Sequence, residues 1–153
     1  MYPKPVQKPR PPILVGGYAD PVLKRVATKS DGWLTYFYTT ASFTKSWNKI
    51  RRFAEDAGRD PDTLVFFNQL PIMVGKSREA VAGPLNEWLR KEWDYSEWSE
   101  SSPDSAVMGT VDECVEQLRA HLEVGVQRII FVPYKYEMEQ AEIIAKEIIT
   151  RLR

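Results

Sequence analysis

The stretch PKPVQKPRPPILVGG at residues 3–17, followed by DGW at residues 31–33, decides the fold of this chain. A proline-rich lead passes into a short apolar strand, Ile13-Leu14-Val15, and the pair Gly16-Gly17 follows before a predicted helix. Consecutive glycines at the end of a buried strand let the backbone approach a bulky group, often a phosphate. A tight strand-to-helix turn without a ligand is the alternative. The glycine pair alone favours that alternative, because it is much less specific than a full glycine-rich fingerprint.

Strands and helices are predicted to alternate along the rest of the chain. Apolar segments predict four strands, near residues 13–16, 32–36, 63–70 and 128–133. Residues 20–29, 42–57, 111–124 and 137–152 carry apolar side chains at helical spacing. Thr110 and Glu113 form a predicted capping box at the start of the third of these helices.

Residues 77–108 do not continue the regular alternation of strand and helix, and they are interpreted as an insertion between the third strand and its helix. Residues 77–93 have a helical pattern that is interrupted at Gly83-Pro84, and residues 94–106 are polar and acidic, as in a loop. Residues 1–12 are rich in proline and predict an extended arm. Residues 13–153 then form a single domain.

The alternation predicts an α/β fold with parallel strands buried between layers of helices. Four β/α units suit either a small open sheet or one half of a (β/α)₈ barrel.

Composition excludes several classes of protein. Lysine plus arginine and aspartate plus glutamate both number 21, so no charge excess favours nucleic acid or an anionic membrane as partner. The one cysteine, Cys114, cannot form an internal disulfide and suits a reducing compartment. No apolar run has transmembrane length and no signal-peptide core is present, so a cytoplasmic protein is expected. One cysteine and one histidine do not make a standard zinc site, and no metal is expected.

Four motifs, in this order, resemble the C-terminal half of the luciferase-like monooxygenases, which include bacterial luciferase and the flavin- and F420-dependent oxidoreductases. They are PKPVQKPRPPILVGG, LKRVATKSDGW, AEDAGRDPDTL and MGTVDECVEQLRAHLEVGVQRIIF. The resemblance covers essentially the whole chain. It implies a parallel (β/α)₄ half of a TIM barrel, strands five to eight, with no counterpart of the first four strands. It also implies an oxidoreductase or monooxygenase that uses FMN or coenzyme F420. The alternative is a catalytically inactive half-barrel, a binding or interaction module that self-associates.

The resemblance also implies a cofactor site. In the family, the turn after strand five helps to hold the phosphate of FMN or a phosphate-bearing part of F420. This turn corresponds to Gly16, Gly17, Tyr18 and Ala19. Many relatives have serine or threonine near the positions of Ala19 and Val22, and this chain has neither. The family's usual acid–base residues belong to the other half of the barrel, so no catalytic residue is assigned.

Further candidates follow from position alone. Trp33, Tyr36 and Tyr134 come near the carboxyl ends of predicted strands, where they could border a cofactor ring or simply pack in the core or a loop. His121 is interpreted as a surface residue off the apolar helix face, and Cys114 as a small core residue. Four aromatic residues of the insertion could form a lid, make a contact with another protein or simply pack against a helix. They are Trp88, Trp93, Tyr95 and Trp98.

A half-barrel leaves two strand edges and one apolar sheet face without a partner. We therefore expect a homodimer in which two half-barrels meet through these strands, or else pairing with a separate N-terminal half-barrel. Closure by the proline-rich arm or by the tryptophan-bearing insertion is the weaker alternative.

Overall fold

A single parallel sheet organises the chain in the computed structural model, which describes residues 6–8, 10–93 and 103–152. The described part holds five strands: β1 (Leu14–Gly16), β2 (Gly32–Tyr36), β3 (Val65–Val74), β4 (Val107–Gly109) and β5 (Arg128–Pro133).

Helices follow the strands in the predicted alternation. They are α1 (Asp20–Lys29), α2 (Thr40–Asp56), α3 (Arg78–Trp93) and α4 (Val111–Glu123), then a last helix made of α5 (Met138–Ile143), a π-helical stretch (Ile144–Ile148) and α6 (Ile149–Leu152). Single 3₁₀ turns lie at Pro61–Thr63, Pro103–Ser105 and Tyr134–Tyr136. The capping box before α4 is confirmed: Thr110 Oγ1 accepts from the Glu113 N–H at 3.3 Å, and the Glu113 carboxylate accepts from the Thr110 N–H at 2.7 Å.

Strand β3 is the centre of the sheet. Ile72 pairs with Val107 of β4 and with Pro133 of β5, so β4 and β5 lie on opposite edges of β3. Strand β2 pairs with the first half of β3, and β1 lies outside β2. The main order is therefore β1-β2-β3-β5, with β4 a short addition near the end of β3. This arrangement confirms the predicted parallel β/α class.

Most of the hydrophobic core lies between the sheet and one layer of helices. Helices α1 and α2 pack on β1, β2 and the start of β3, where Trp33, Phe43 and Phe66 are buried. Helix α4 and the last helix pack on the end of β3 and on β5, with Leu70 and Leu118 buried between them. Helix α3 lies on the opposite sheet face, at the carboxyl ends of the strands.

The described residues of the predicted insertion, 77–93 and 103–108, hold more regular structure than the sequence predicts. Strand β4 was not among the predicted strands and begins just after the loop predicted at residues 94–106, and α3 runs without a break through Gly83 and Pro84. A proline inside a helix costs about 3 kcal/mol. Helix α3 persists because its buried face, which includes Leu85 and Leu89, packs on a cluster that also holds Met108 and Val132.

Glutamine side chains replace strand partners at two places. Strand β3 extends beyond the end of β5, and there the Val74 N–H donates to Gln140 Oε1 at 2.8 Å while Gln140 Nε2 donates to the Val74 carbonyl at 3.0 Å. Gln117 makes the same pair of contacts with Met108 of β4, at 3.3 and 2.9 Å. These amides satisfy buried backbone groups that would otherwise lack a partner.

The end of the arm is tied to the sheet through Asp31 of the DGW motif. The Asp31 carboxylate accepts hydrogen bonds from the Arg10 guanidinium and, at 2.6 Å, from the Ile13 N–H. The hydrogen bonds from Arg10 and Ile13 hold the pKa of Asp31 below its usual value. This contact fixes where the chain enters β1.

Candidate functional site

The turn between β1 and α1 has a backbone that only glycine adopts readily. Gly17 has a φ of +124°, in a region that other residues rarely occupy. A Cβ atom placed on Gly17 would lie 3.0 Å from Val22 Cγ1. The second glycine of the predicted motif is therefore required by the local geometry of the turn.

A buried tryptophan anchors this turn. The Trp33 indole Nε1 donates to the Gly17 carbonyl oxygen at 2.9 Å, and the Trp33 side chain is fully buried. The peptide group is planar and trans, so the N–H of Tyr18 points away from the Gly17 carbonyl. Since that carbonyl is directed at the core, the Tyr18 N–H is directed outward, where an anion can reach it.

The first turn of α1 adds a weak positive electrostatic potential at the same place. The N-cap residue Ala19 has no side-chain acceptor, and its carbonyl receives the N–H groups of Val22 and Leu23 at 2.8 and 3.0 Å. An uncapped helix N-terminus carries partial positive charge and attracts anions. The turn therefore combines the outward N–H of Tyr18 with a favourable helix dipole.

The charge of Asp20, which by itself would repel an anion from the turn, is compensated. Lys49 Nζ, from α2, donates to the Asp20 carboxylate at 2.6 Å. Both side chains are largely exposed, so the pair contributes little to stability. It nevertheless leaves no uncompensated negative charge beside Ala19.

The three predicted rim residues do not lie together. Trp33 is in the core on the helix side of the sheet, where its ring stacks on that of Phe43 with 5.6 Å between the ring centroids. Tyr36, three positions further along β2, points to the opposite face, because successive strand residues alternate between faces; its side chain is 40% exposed. Tyr134 is buried near the carboxyl end of β5.

Tyr134 lines a cavity that the sequence did not reveal. The cavity, of about 360 Å³, lies between α3 and the 134–136 turn. The Trp88 ring meets Tyr134 and Tyr136 edge-on, with 5.6 Å between ring centroids in both pairs. Lys135 and Tyr136 both have positive φ, at 49° and 55°. This cavity lies at the carboxyl end of a barrel strand, but residues so far apart in the chain provide no local sequence signal for it.

The aromatic residues of the insertion are only partly covered by the structure. Trp88 packs in the hydrophobic cluster between α3 and the carboxyl ends of the strands. The Trp93 ring lies edge-on to the Phe37 ring, with 5.2 Å between the ring centroids. The two other members of the predicted set, Tyr95 and Trp98, lie outside the described residues. For Trp88 and Trp93, packing of α3 against the carboxyl ends of the strands is what the structure shows.

The prediction that His121 is a surface residue is wrong. His121 is only 6% exposed and borders a small cleft with Thr39 and Ser105. It follows Leu118 by three residues and Cys114 by seven, which places it on the same buried helix face. Its Nδ1 has no hydrogen-bond partner among the described residues. Burial lowers the pKa of His121, because the charged imidazolium is poorly solvated there.

Stability should fall as the pH drops below about 6.5, the pKa of histidine in an unfolded chain. The unfolded chain binds the His121 proton more readily than the folded one, so protonation favours unfolding. Urea unfolding of the wild type and of His121→Gln from pH 8 to pH 5 checks this. The wild type should lose more stability than the variant over that range, and parallel curves would contradict the assignment.

Cys114 is buried, as predicted for a small core residue. Burial is the main cause that raises the pKa of its thiol to about 12, so the reactive thiolate is scarce at neutral pH. Within the described ranges, no group of three or more histidine, cysteine, aspartate or glutamate side chains is arranged to hold a metal ion. The described helices also include none that is long and apolar enough to cross a bilayer.

Comparison with known proteins identifies the family. The family model of the luciferase-like monooxygenases matches residues 1–128. An F420-dependent secondary alcohol dehydrogenase, solved with an F420–acetone adduct, superposes with a TM-score of 0.78 at 15% identity, over 99% of this chain and 51% of its own. The F420-dependent tetrahydromethanopterin reductase from Methanopyrus kandleri superposes with a TM-score of 0.71 at 16% identity, over 93% of this chain and 51% of its own.

A flavin-dependent relative shows the same fold. The oxygenating constituent of 3,6-diketocamphane monooxygenase from Pseudomonas putida, in complex with FMN, superposes with a TM-score of 0.63 at 14% identity, over 92% of this chain and 48% of its own. The chain thus spans about half the length of these solved structures. The match to the family model covers most of the sequence. This chain belongs to the luciferase-like monooxygenase family.

Proposed function

We propose that the chain forms half of the barrel of a flavin- or F420-dependent oxidoreductase, and that its Gly16–Ala19 turn holds the phosphate of the cofactor. The observation that carries this proposal is the hydrogen bond from Trp33 to the Gly17 carbonyl, which directs the Tyr18 N–H outward. The same hydrogen bond satisfies the indole N–H, which is buried with Trp33 and needs an acceptor. Its support for a ligand lies in the orientation that it gives to the Gly17 peptide.

The residues present suit a phosphate. A Cβ atom on Gly17 would disturb the turn, and the pairing of Asp20 with Lys49 removes the nearest uncompensated negative charge. The turn has no hydroxyl at Ala19 or Val22, so backbone N–H groups would supply most of the hydrogen bonds. When bound, FMN or F420 supplies the redox chemistry, and this chain contributes binding and orientation.

The test is a binding titration of FMN and of F420 with the wild type and Gly17→Ala. We expect the variant to bind at least about tenfold more weakly, because the added Cβ strains a positive-φ backbone and contacts Val22. Alanine is preferred to valine here, since a β-branched residue at this φ would perturb folding as well.

Gly125→Ala is the matched control. Gly125 also has a positive φ, of +101°, but nothing lies near its Cβ position and it is at the end of α4. The Gly125→Ala variant should lose a comparable amount of stability, because its backbone is also strained, and its affinity for the cofactor should be unchanged. Equal affinity in the wild type and in folded Gly17→Ala would refute the phosphate site.

A second candidate function is a catalytically inactive half-barrel that acts as an interaction module. The exposed side chains of Tyr36 and Ile130 on the sheet favour it. Turnover assays with reduced FMN and reduced F420 distinguish the two functions. Oxidation of the cofactor that depends on an added substrate supports the enzyme, and binding without turnover supports the module.

A further inference from the structure

A small polar cleft lies between α2 and α4, on the side of the sheet that these helices cover. It is lined by Thr39 and Thr40 at the start of α2, by residues 104–107, and by Gln117 and His121 of α4. Its volume of about 190 Å³ exceeds the roughly 30 Å³ that one water molecule occupies in the liquid, so the cleft has room for a small ligand. None of these residues belongs to β1 or β5, so the cleft forms without any contribution from whatever pairs with those edge strands.

The His121 ring borders the cleft and has an unsatisfied nitrogen. The residue is only 6% exposed, and no described group makes a hydrogen bond to Nδ1. A half-turn of the ring about χ2 exchanges the positions of its nitrogens and carbons, so either nitrogen can be presented to the cleft. Because a buried polar group without a partner is destabilising, the imidazole favours a ligand that accepts its hydrogen bond.

The start of α2 supplies further donors to the cleft. Thr39 is the N-cap residue, and its hydroxyl oxygen accepts from the Ser42 N–H at 3.1 Å. The N–H groups of Thr40 and Ala41, in the first turn, have no acceptor within the helix. Helix α2 has 17 residues and no acidic side chain in its first turn, so nothing within that turn offsets the partial positive charge of its N-terminus.

We propose that this cleft binds a small oxyanion, such as a phosphate group, between the N-terminus of α2 and the His121 ring. The backbone N–H and the hydroxyl of Thr40 donate to the anion, and so does one imidazole N–H. Burial lowers the pKa of His121, so the ring is neutral at about pH 7.5 and carries the single N–H that this role needs. The site shares no residue with the Gly16–Ala19 turn and does not rest on the proposed function.

Asp104 opposes an anion in the cleft and therefore gives a test with a defined sign. Its carboxylate lines the cleft but is exposed, so water screens its charge. Asp104→Asn removes that charge and keeps the size of the side chain. We expect the variant to bind phosphate about fivefold more tightly, the effect of one unit charge at close range in water. A cation in the cleft would instead be bound more weakly by this variant.

Thr40→Pro removes the backbone N–H and the hydroxyl that the proposal assigns to the anion. Proline suits this position, because Thr40 is the first residue of α2 and Thr39 before it is extended, with a ψ of 162°. We expect the affinity for phosphate to fall at least about tenfold. Met138→Pro is the matched control: Met138 is 73% exposed and is likewise the first residue of a helix, after the extended Glu137. It should leave the affinity unchanged.

His121 is the only histidine in the sequence, so its ring nitrogens give the only imidazole signals in a nitrogen-15 NMR spectrum of the untagged chain. Titration with inorganic phosphate at constant ionic strength should shift these signals saturably, with a dissociation constant of about 1 mM or below. A parallel titration with glycerol phosphate distinguishes the two sources of the anion. Tighter binding of the ester indicates a phosphorylated compound, and tighter binding of inorganic phosphate indicates the free ion.

The absence of a saturable shift up to about 20 mM phosphate would overturn the proposal. A shift that folded Thr40→Pro leaves unchanged, or weaker binding by Asp104→Asn, would overturn it as well. Gly17→Ala separates this site from the cofactor site, because it should leave the His121 titration as in the wild type. Failure of the chain to bind FMN or F420 therefore removes only the cofactor site.

Discussion

Gly32→Ala is expected to lower the free energy of unfolding by about 3 kcal/mol or more. A Cβ atom on Gly32 would lie 2.1 Å from the Val65 carbonyl oxygen and 2.8 Å from Leu14 Cδ2. The nearest atom is backbone of the neighbouring strand, which no rotamer change can move aside. Because Gly32 pairs with β1 and with β3, the clash acts on both strand pairs.

Chemical denaturation with urea measures this effect. Gly125→Ala is the control, because it meets no neighbouring atom and should cost only the roughly 1–2 kcal/mol of a left-handed backbone. The loss at Gly32 should clearly exceed the loss at Gly125. Equal losses would show that β2 and β3 can separate at little cost, and that the close approach does not define this fold.

Trp33→Phe is expected to reduce both stability and cofactor affinity. Phenylalanine keeps an aromatic ring beside Phe43 but removes the Nε1 donor to the Gly17 carbonyl and leaves a small cavity. A buried carbonyl without a partner costs about 1–3 kcal/mol, so this partly buried one should cost no more than that, and the cavity adds to the loss. With the Gly17 peptide no longer held, the turn should populate other orientations and bind cofactor more weakly.

Phe43→Leu is the matched control for Trp33→Phe. It removes a ring that stacks on Trp33 in the same cluster, but it does not touch the turn. Both variants should be destabilised in urea, and only Trp33→Phe should lose affinity for FMN or F420 under conditions where it is folded. If both variants keep wild-type affinity, the indole does not position the turn.

The alternation of strands and helices was predictable because it depends on local periodicity. Apolar residues at helical spacing placed α1 and α2 within a few residues of their observed bounds, and the pair Thr110 and Glu113 located the start of α4. Such signals arise from neighbours three or four positions apart, which are in contact whatever the rest of the chain does.

His121 shows how far the sequence alone could go. It was predicted to lie off the apolar helix face, although its spacing of three residues from Leu118 is that of the buried face. Its burial depends on Thr39 and Ser105, which come from other parts of the chain. Strand β4 and the unbroken α3 were missed for the same reason, since packing on the sheet stabilises both against weak local preferences.

The sequence by itself determined the class of fold, the family and the glycine turn, because backbone preferences and motif spacing are local properties. Only the tertiary structure decided that Trp33 faces the core and holds Gly17, although the two residues are 16 positions apart. It likewise decided that Ile130 is exposed while Ile129, its neighbour, packs against the helices. Both outcomes depend on which strands lie side by side, and strand pairing joins residues that no local pattern connects.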